Sequence, residues 1–579
     1  MYLDFGTYLI AKEGIPMEYN VEQLYHAVKS ESCRDSIWTD IKKLSSWIRY
    51  SGTKDGEAAA EYIRDRLLSY NIPVEWVQYP CFRSIPGDAM LTVCDREFRL
   101  TPYVFSGECD EIECELAFDE ASKDKNVTQM GTEARLSSLA GKIVLTYDNS
   151  YDFAVRATKA GVKALIHIWP FDLAHHGSIG GVWGTPETED LDKYPFLPVA
   201  EITNANGEWV RQKINCGTVK GRLSVKMETG ILKSSMPIAF IQGKSDDFVL
   251  VSGHYDGWHD GVTDNACANA SMIELARLFY KHRNELKRSV MFAWWSGHSD
   301  GKYAGSTYYF DTHFNKMYDH CIAHVNMDIA GCMTSDIVAF NTGGMEGCNN
   351  AIEWMKEFNE QPPQPPIPMD RFADQTFWGA NVPFAIMPRF NRSDLGNGIF
   401  YWWHTIEDTL DKVDMNVMMR DHCVIGKLAA IFANSDRLPF DFDSFLNEFE
   451  LRLNEIKKGL TADFDLSEVY DALLSAKDCA KRLTAAYMKN DKLEQTVIAF
   501  AGELTRLMYT SSSPYEQGPA NCKWQLPGLS KPLGKTSANC TEIYYTALCT
   551  EFLRQKNRII HRLRLAIECC ERELALLNR

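Results

Sequence analysis

Two stretches of the chain carry residue types able to do chemistry. The first, Gly253–Asn265, holds a His-x-Asp unit, His254 and Asp256, and a second aspartate, Asp264, ten residues after the histidine. The apolar run Phe248–Val251 precedes it and a helix-like segment, Asn265–Tyr280, follows it. Histidine and aspartate placed on the turn between a buried strand and a helix suit a metal site. The second stretch, Trp294–Asp300, should complete that site with His298, Ser299 and Asp300. Two further candidates are Asp328, in Val325-Asn326-Met327-Asp328, and His404, in Tyr401-Trp402-Trp403-His404.

The chemistry this set permits is amide hydrolysis, which needs a nucleophile and stabilisation of the developing oxyanion. A two-metal centre supplies both, lowering the pKa of bound water to about 7 and clamping the reacting oxygens. It takes histidine and carboxylate ligands, one carboxylate bridging. His254, Asp264, Asp328 and His404 are the four candidate ligands, and Asp256 can hold the imidazole of His254. Each alone has an ordinary reading: an aspartate before a helix is commonly an N-cap, and His259, His313 and His320 read as surface or core histidines. The four together, at strand ends and in this order, favour a metal site.

The elements that must position them follow from hydrophobic patterning. Residues 20–75 read as helical, and Val74–Phe105 as strand-rich. Residues 108–235 read as a β/α insert, with strands at 141–146, 164–168 and from 196, and a helix at 153–160. From 236 to 436 the strand candidates 248–252, 289–295, 321–327, 336–340 and 383–387 alternate with helices such as 265–283 and 350–359. That alternation predicts an α/β sheet flanked by helices, with ligands at the C-terminal ends of strands. From 437 onward the patterning is helical. Phe442, Phe445, Phe449, Leu453, Ile456 and Leu460 make one stripe, and Leu553, Ile560, Leu563, Ile567, Cys570, Leu574 and Leu577 another.

With 579 residues, two to four domains are expected. The net charge of −17 argues against nucleic acid, whose binding rests on Lys and Arg neutralising phosphates. No apolar run is long enough for a membrane span, and Met1–Gly6 lacks the basic start and apolar stretch of a signal peptide. A cytoplasmic location is the expectation, and the 17 scattered cysteines then read as reduced thiols. The glycosylation-type triplets at Asn126, Asn391 and Asn539 carry no weight there.

Gly253–Asn265, Ala304–Tyr309, Asn326–Asp328 and His404–Asp411 together resemble the M28 metallopeptidases, the co-catalytic zinc aminopeptidases and glutamate carboxypeptidases. Asp374 in Ala373–Phe377, followed by Val382-Pro383, is a weaker match. The resemblance covers about 45–75 and 236–436. It implies a zinc-peptidase-like mixed sheet in a domain made of 1–107 and 236–436, and a protease-associated-like insert at 108–235; the helical domain at 437–579 holds the place of that family's C-terminal domain, and its amphipathic stripes, which need a cover, lead us to expect a homodimer. It also implies two zinc ions per chain. His254 and Asp328 would hold one and His404 the other, with Asp264 bridging and Asp256 orienting His254. The substrate would be a peptide or an N-acyl amino acid-like amide, aminopeptidase action being the leading expectation.

The sequence departs from this pattern in the second stretch. The family usually has Glu-Glu there, the first as general base and the second as ligand. Here stands His298-Ser299-Asp300, in a loop one residue longer. Counting back from Gly305-Ser306 makes Asp300 the ligand and Ser299 the base, while counting forward from Trp294-Trp295 makes His298 the base and Ser299 the ligand. Three outcomes stay open: His298 ligates and Asp300 is the base; Asp300 ligates and His298 is the base; or the protein is a non-catalytic binding relative. Trp403 replaces a tyrosine that some members carry before the histidine, and its indole N–H can still donate. Arg389 and Arg392 are candidates for binding a substrate carboxylate.

Overall fold

The computed structural model describes residues 19–123, 136–194, 197–395, 399–518 and 525–577. The segments Met1–Gly6 and Asn126–Thr128, and Phe196 at the start of an expected strand, lie outside them.

The strands that position the candidate site are short apolar runs buried on both faces, as parallel strands under helices must be. They are β8 (Ser245–His254), β9 (Arg288–Trp295) and β10 (Cys321–Asn326). Every residue of β9 and β10 is buried. β8 pairs in parallel with both neighbours, so His254 lies opposite Trp295 and Ser252 opposite Asn326. The C-terminal ends of three adjacent strands therefore open side by side. β13 (Phe384–Asn391) extends the parallel set beyond β10, and β11 (Ile337–Thr342) pairs antiparallel with it. Gly253 permits this closeness, because a Cβ there would meet the Met327 carbonyl oxygen at 2.7 Å.

On the other flank, β1 (Val74–Val93) pairs along its length with β7 (Lys220–Ile241), antiparallel. These are single strands of 20 and 22 residues. They leave the main sheet and enter the insert without a break. Ala89, Leu91, Val93, Phe98 and Leu100 pack with Leu116, Ile143, Ile166 and Leu223 in the insert's core. Inside the insert, β3 (Cys109–Phe118), β4 (Ile143–Thr146), β5 (Ala164–Ile168) and β6 (Val199–Ile202) run parallel, with helices Tyr151–Lys159 and Asn204–Cys216.

Helices Tyr19–Glu31, Arg34–Leu44, Lys54–Ser69, Cys267–Lys281 and Met415–Asn434 accompany the main sheet. The C-terminal helices Phe442–Lys458, Ser467–Tyr487, Glu494–Tyr509 and Glu542–Leu577 share one continuous apolar core with that sheet. The expected stripe on the last helix is displaced. Leu548, Phe552, Ile559, Leu563, Ala566 and Cys570 are buried, whereas Leu553 and Leu577 are 52% and 44% exposed. Among the described residues no helix is long and apolar enough to cross a membrane.

Candidate metal centre

His254 ends β8 and is buried. Its Nδ1 lies 2.8 Å from the Asp256 carbonyl oxygen. A carbonyl only accepts, so Nδ1 carries the proton and Nε2 is bare in the neutral ring. That bare nitrogen faces Asp264 Oδ1 at 3.1 Å and Asp328 Oδ1 at 3.2 Å. His404 repeats the arrangement: Nδ1 donates to the His176 carbonyl at 2.8 Å, and Nε2 faces Asp264 Oδ2 at 3.1 Å. Asp264 thus spans the two imidazoles with its two oxygens. Donors around a tetrahedral zinc with bonds of about 2.0–2.1 Å stand about 3.3 Å apart, so these spacings suit a metal.

The electrostatics point the same way. Among the described residues no hydrogen bond reaches the buried Asp264 Oδ1. Burial opposes charge on both partners, yet Asp328 and Asp264 hold the His254 imidazolium well above the usual range. His254 and His404 in turn hold the Asp264 carboxyl well below its own. Protons stand where a cation would compensate three converging lone pairs. The donor set therefore fits zinc, and binding would displace those protons.

The His298 ring stacks on His254, centroids 3.7 Å apart and planes 9° apart. Ligand atoms of His254, His298 and Asp328 all lie within 4.8 Å of one another, the one such group of three among the described residues. His298 Nδ1 meets Asp374 Oδ2 at 2.7 Å, which turns its Nε2 to the other side of the ring.

Asp300 goes elsewhere. It is buried, its Oδ2 accepts from Ser51 N at 2.8 Å, and its carbonyl accepts from Ser84 N at 2.8 Å. Burial and the nearby Asp256 push its carboxyl up to about 7. The residue gained in the loop is absorbed by turning Asp300 inward, so of the pair considered for ligand and base only His298 faces the cavity. Asp256 reaches His254 through its backbone. Its carbonyl holds His254, while its carboxylate, 3.8 Å from that ring, accepts from the backbone N–H groups of His298 and Ser299 at 3.2 and 2.8 Å. It ties the two stretches together.

Several residues escaped the sequence reading. The buried Asp408 carboxylate accepts from Thr263 N, Thr263 Oγ and Asp264 N, fixing the backbone under Asp264. The Arg49 guanidinium, fully buried, donates to the carbonyls of Leu44, Trp47, Tyr255, Asp260 and Gly261 and so pins the loop after β8. Asp408 lay in a quoted motif, but Arg49 and His176 carried no local signal. Trp403 stacks on His404 at 3.6 Å.

Asp264, Asp328, His298, His404, His176 and Trp403 border a cavity of about 580 Å³ lined also by Trp258, Ser299, Lys302, Tyr303 and Arg389. Burial pushes the Lys302 ammonium down to about 8. Arg392 pairs with Asp394 in an exposed loop and does not line the cavity.

Fold and donor set together define an α/β domain whose parallel strands end at a candidate metal site. Residues 238–427 match the sequence model of Peptidase family M28. A stretch of 115 residues is 29% identical to Aminopeptidase NAALADL1 of Mus musculus, covering 19% of this chain and 15% of that protein. Transferrin receptor protein 2 of Rattus norvegicus is 22% identical over 424 residues, 60% of this chain and 51% of the receptor. The chain therefore spans about half or less of the length of these relatives. The solved structure of BSAP, a zinc aminopeptidase from Bacillus subtilis, shares the fold with a TM-score of 0.54 at 17% identity, over 71% of this chain and 98% of that one.

Proposed function

We propose that the protein is a zinc-dependent hydrolase of peptide or peptide-like amide bonds, an aminopeptidase in the first instance. The observation that carries this reading is the Asp264 carboxylate set between two imidazoles whose Nδ1 protons are both committed to backbone carbonyls. His254, Asp328 and Asp264 would hold one zinc, and His404 and Asp264 a second. When bound, the metal supplies an acidified water and polarises the scissile carbonyl.

We assign His298 the part of proton acceptor. In-plane lone pairs of stacked, nearly parallel imidazoles run side by side and do not converge, so His298 and His254 in this arrangement do not share one ion. Asp374, hydrogen-bonded to Nδ1, leaves Nε2 to take a proton from the attacking water and return it to the leaving amine. Ser306 Oγ donates to the other oxygen of Asp374 at 2.6 Å and steadies it. Trp403, against His404, walls off one side. Lys302 and Arg389 give the cavity cationic groups that suit a substrate carboxylate, which favours dipeptides and N-acyl amino acids within the class.

The test is hydrolysis of a panel of aminoacyl and N-acyl amino acid amides before and after chelation, with zinc restored at the end. Turnover lost with chelator and regained with zinc is expected. Turnover indifferent to chelator sinks metal dependence. Absence of turnover from a zinc-loaded protein favours instead a binding protein on a peptidase fold, a reading that the replaced Glu-Glu pair and the similarity to a receptor support.

A further inference from the structure

The two metal-facing histidines are supported differently. His254 is held by a carbonyl of its own loop, that of Asp256. His404 is held by the insert: its Nδ1 donates to the His176 carbonyl at 2.8 Å, and the His176 N–H donates back to the His404 carbonyl at 3.1 Å. The His176 ring lies flat on Trp258, centroids 4.5 Å apart, and its Nε2 is 3.1 Å from Nε2 of His259, in the loop after β8.

A few residues further on, the same insert loop reaches the opposite wall of the cavity. Trp183 Nε1–H donates to Thr376 Oγ1 at 2.9 Å. Thr376 Oγ1 lies 2.9 Å from Ser306 Oγ, Ser306 Oγ lies 2.6 Å from Asp374 Oδ1, and Asp374 Oδ2 lies 2.7 Å from His298 Nδ1. The proton count gives this chain one direction. An indole only donates and a carboxylate only accepts, so Trp183 gives to Thr376, Thr376 to Ser306, and Ser306 to Asp374. Trp183, Thr376, Ser306 and Asp374 are all buried. The loop is seated by Gly184, whose N–H donates to the Lys302 carbonyl at 2.6 Å. At Gly184 φ is +79°, and a Cβ would meet Thr307 Oγ1 at 2.6 Å, so glycine is required there.

We infer that the insert loop 175–184 is a working part of the metal centre: it sets the orientation of His404 through the His176 backbone and that of His298 through the Trp183–Thr376–Ser306–Asp374 chain. These are positioning residues, and the inference rests on the zinc reading above. Partners behind a metal ligand change metal affinity by about 10- to 100-fold when removed. An undocked insert would leave the His254 side furnished and the His404 side without its brace.

The test uses the full chain with Trp183→Phe, Thr376→Val, the pair together, and Gly184→Val. Zinc affinity is read by chelator competition, the donor environment by the visible spectrum of the cobalt-substituted protein, the His298 ring by its imidazole nitrogen resonances in NMR, and folding by thermal unfolding. Trp183→Phe and Thr376→Val cut only the link to His298, so each is expected to shift the His298 resonances and to lower kcat several-fold while zinc affinity stays parent-like. The pair should be no worse than the more affected single variant, because both remove the same link. Gly184→Val, which unseats the loop from both walls, is expected to weaken zinc binding by about 10- to 100-fold and to shift the cobalt bands. If Gly184→Val fails to fold, Trp183→Phe and Thr376→Val still decide the matter. Parent-like His298 resonances and kcat in both, or parent-like zinc affinity in a folded Gly184→Val protein, overturn the inference while leaving the hydrolase reading standing. A parent protein that takes up no zinc removes both.

Discussion

His298 decides whether this centre turns over. Its Nδ1 is taken by Asp374 and its ring is parallel to that of His254, so it is placed to move a proton and poorly placed to share an ion. His298→Gln is accordingly expected to keep the parent's zinc content while turnover falls by about 100- to 10,000-fold, the usual worth of a general base. Loss of an equivalent of zinc in that variant would show His298 to be a ligand and refute the assignment. At this scale much was legible beforehand. His254, Asp264, Asp328 and His404 stand at strand ends or in short motifs, and the structure brings Asp264, Asp328 and His404 to one cavity with His254 against the two aspartates. What stayed illegible was the way a loop longer by one residue resolves. Either count along Trp295–Gly305 was consistent with the sequence, and only the long-range pairing of Asp300 with Ser51 and Ser84 turns it inward. Asp374, a weak match in the sequence, proves to be the carboxylate behind His298.

The elements hold the site by burying polar groups against backbone. Arg49 is the clearest instance: burial works against its charge, offset by Asp408, Asp264, Asp256 and Asp260, while the guanidinium serves five carbonyls of two loops. Arg49→Met should cost about 3–5 kcal/mol of stability, as removal of one side of a buried charged network does, read as a lower midpoint in urea. An unchanged midpoint would mean that the loops hold without it. A second prediction concerns helix Met415–Asn434, where His422 is buried between Ser32 Oγ at 2.7 Å and Ser271 Oγ at 2.9 Å. Burial, with a smaller contribution from Arg277, pushes its pKa down from 6.5 to about 3. Between those values the unfolded chain holds the proton and the folded chain does not, so stability falls as pH drops through that window. The slope from this group is about 1.4 kcal/mol per unit. His422→Asn should remove that component from the pH dependence of unfolding; identical slopes in parent and variant would rule it out. Neither device was readable from sequence, because both join segments hundreds of residues apart whereas hydrophobic period reports only local partners. That same period read the strands from 245 to 391 well, since each is a short apolar run. It gives no sign that β1 and β7 run unbroken from the main sheet into the insert, because their continuity rests on pairing between distant segments.

Across the whole molecule, main sheet and insert meet at one cavity, and main sheet and helical tail share one core. The tail shares its apolar cluster with the sheet, yet helix Glu542–Leu577 still exposes Ile543 at 86%, Leu553 at 52% and Leu576 at 56%. A second copy of the chain is the cover we propose for that face. Light scattering behind size exclusion should give twice the chain's 65.8 kDa, and Leu553→Glu should shift the population toward single chains. A monomeric parent at micromolar concentration would refute this. The metal itself can be counted. In the purified, zinc-reconstituted parent, mass spectrometry should find close to two zinc ions per chain. In Asp264→Asn, which blunts the carboxylate facing both His254 and His404, both should be lost together. A parent with zinc near zero, or an Asp264→Asn protein with its zinc intact, would contradict a centre built around that bridge.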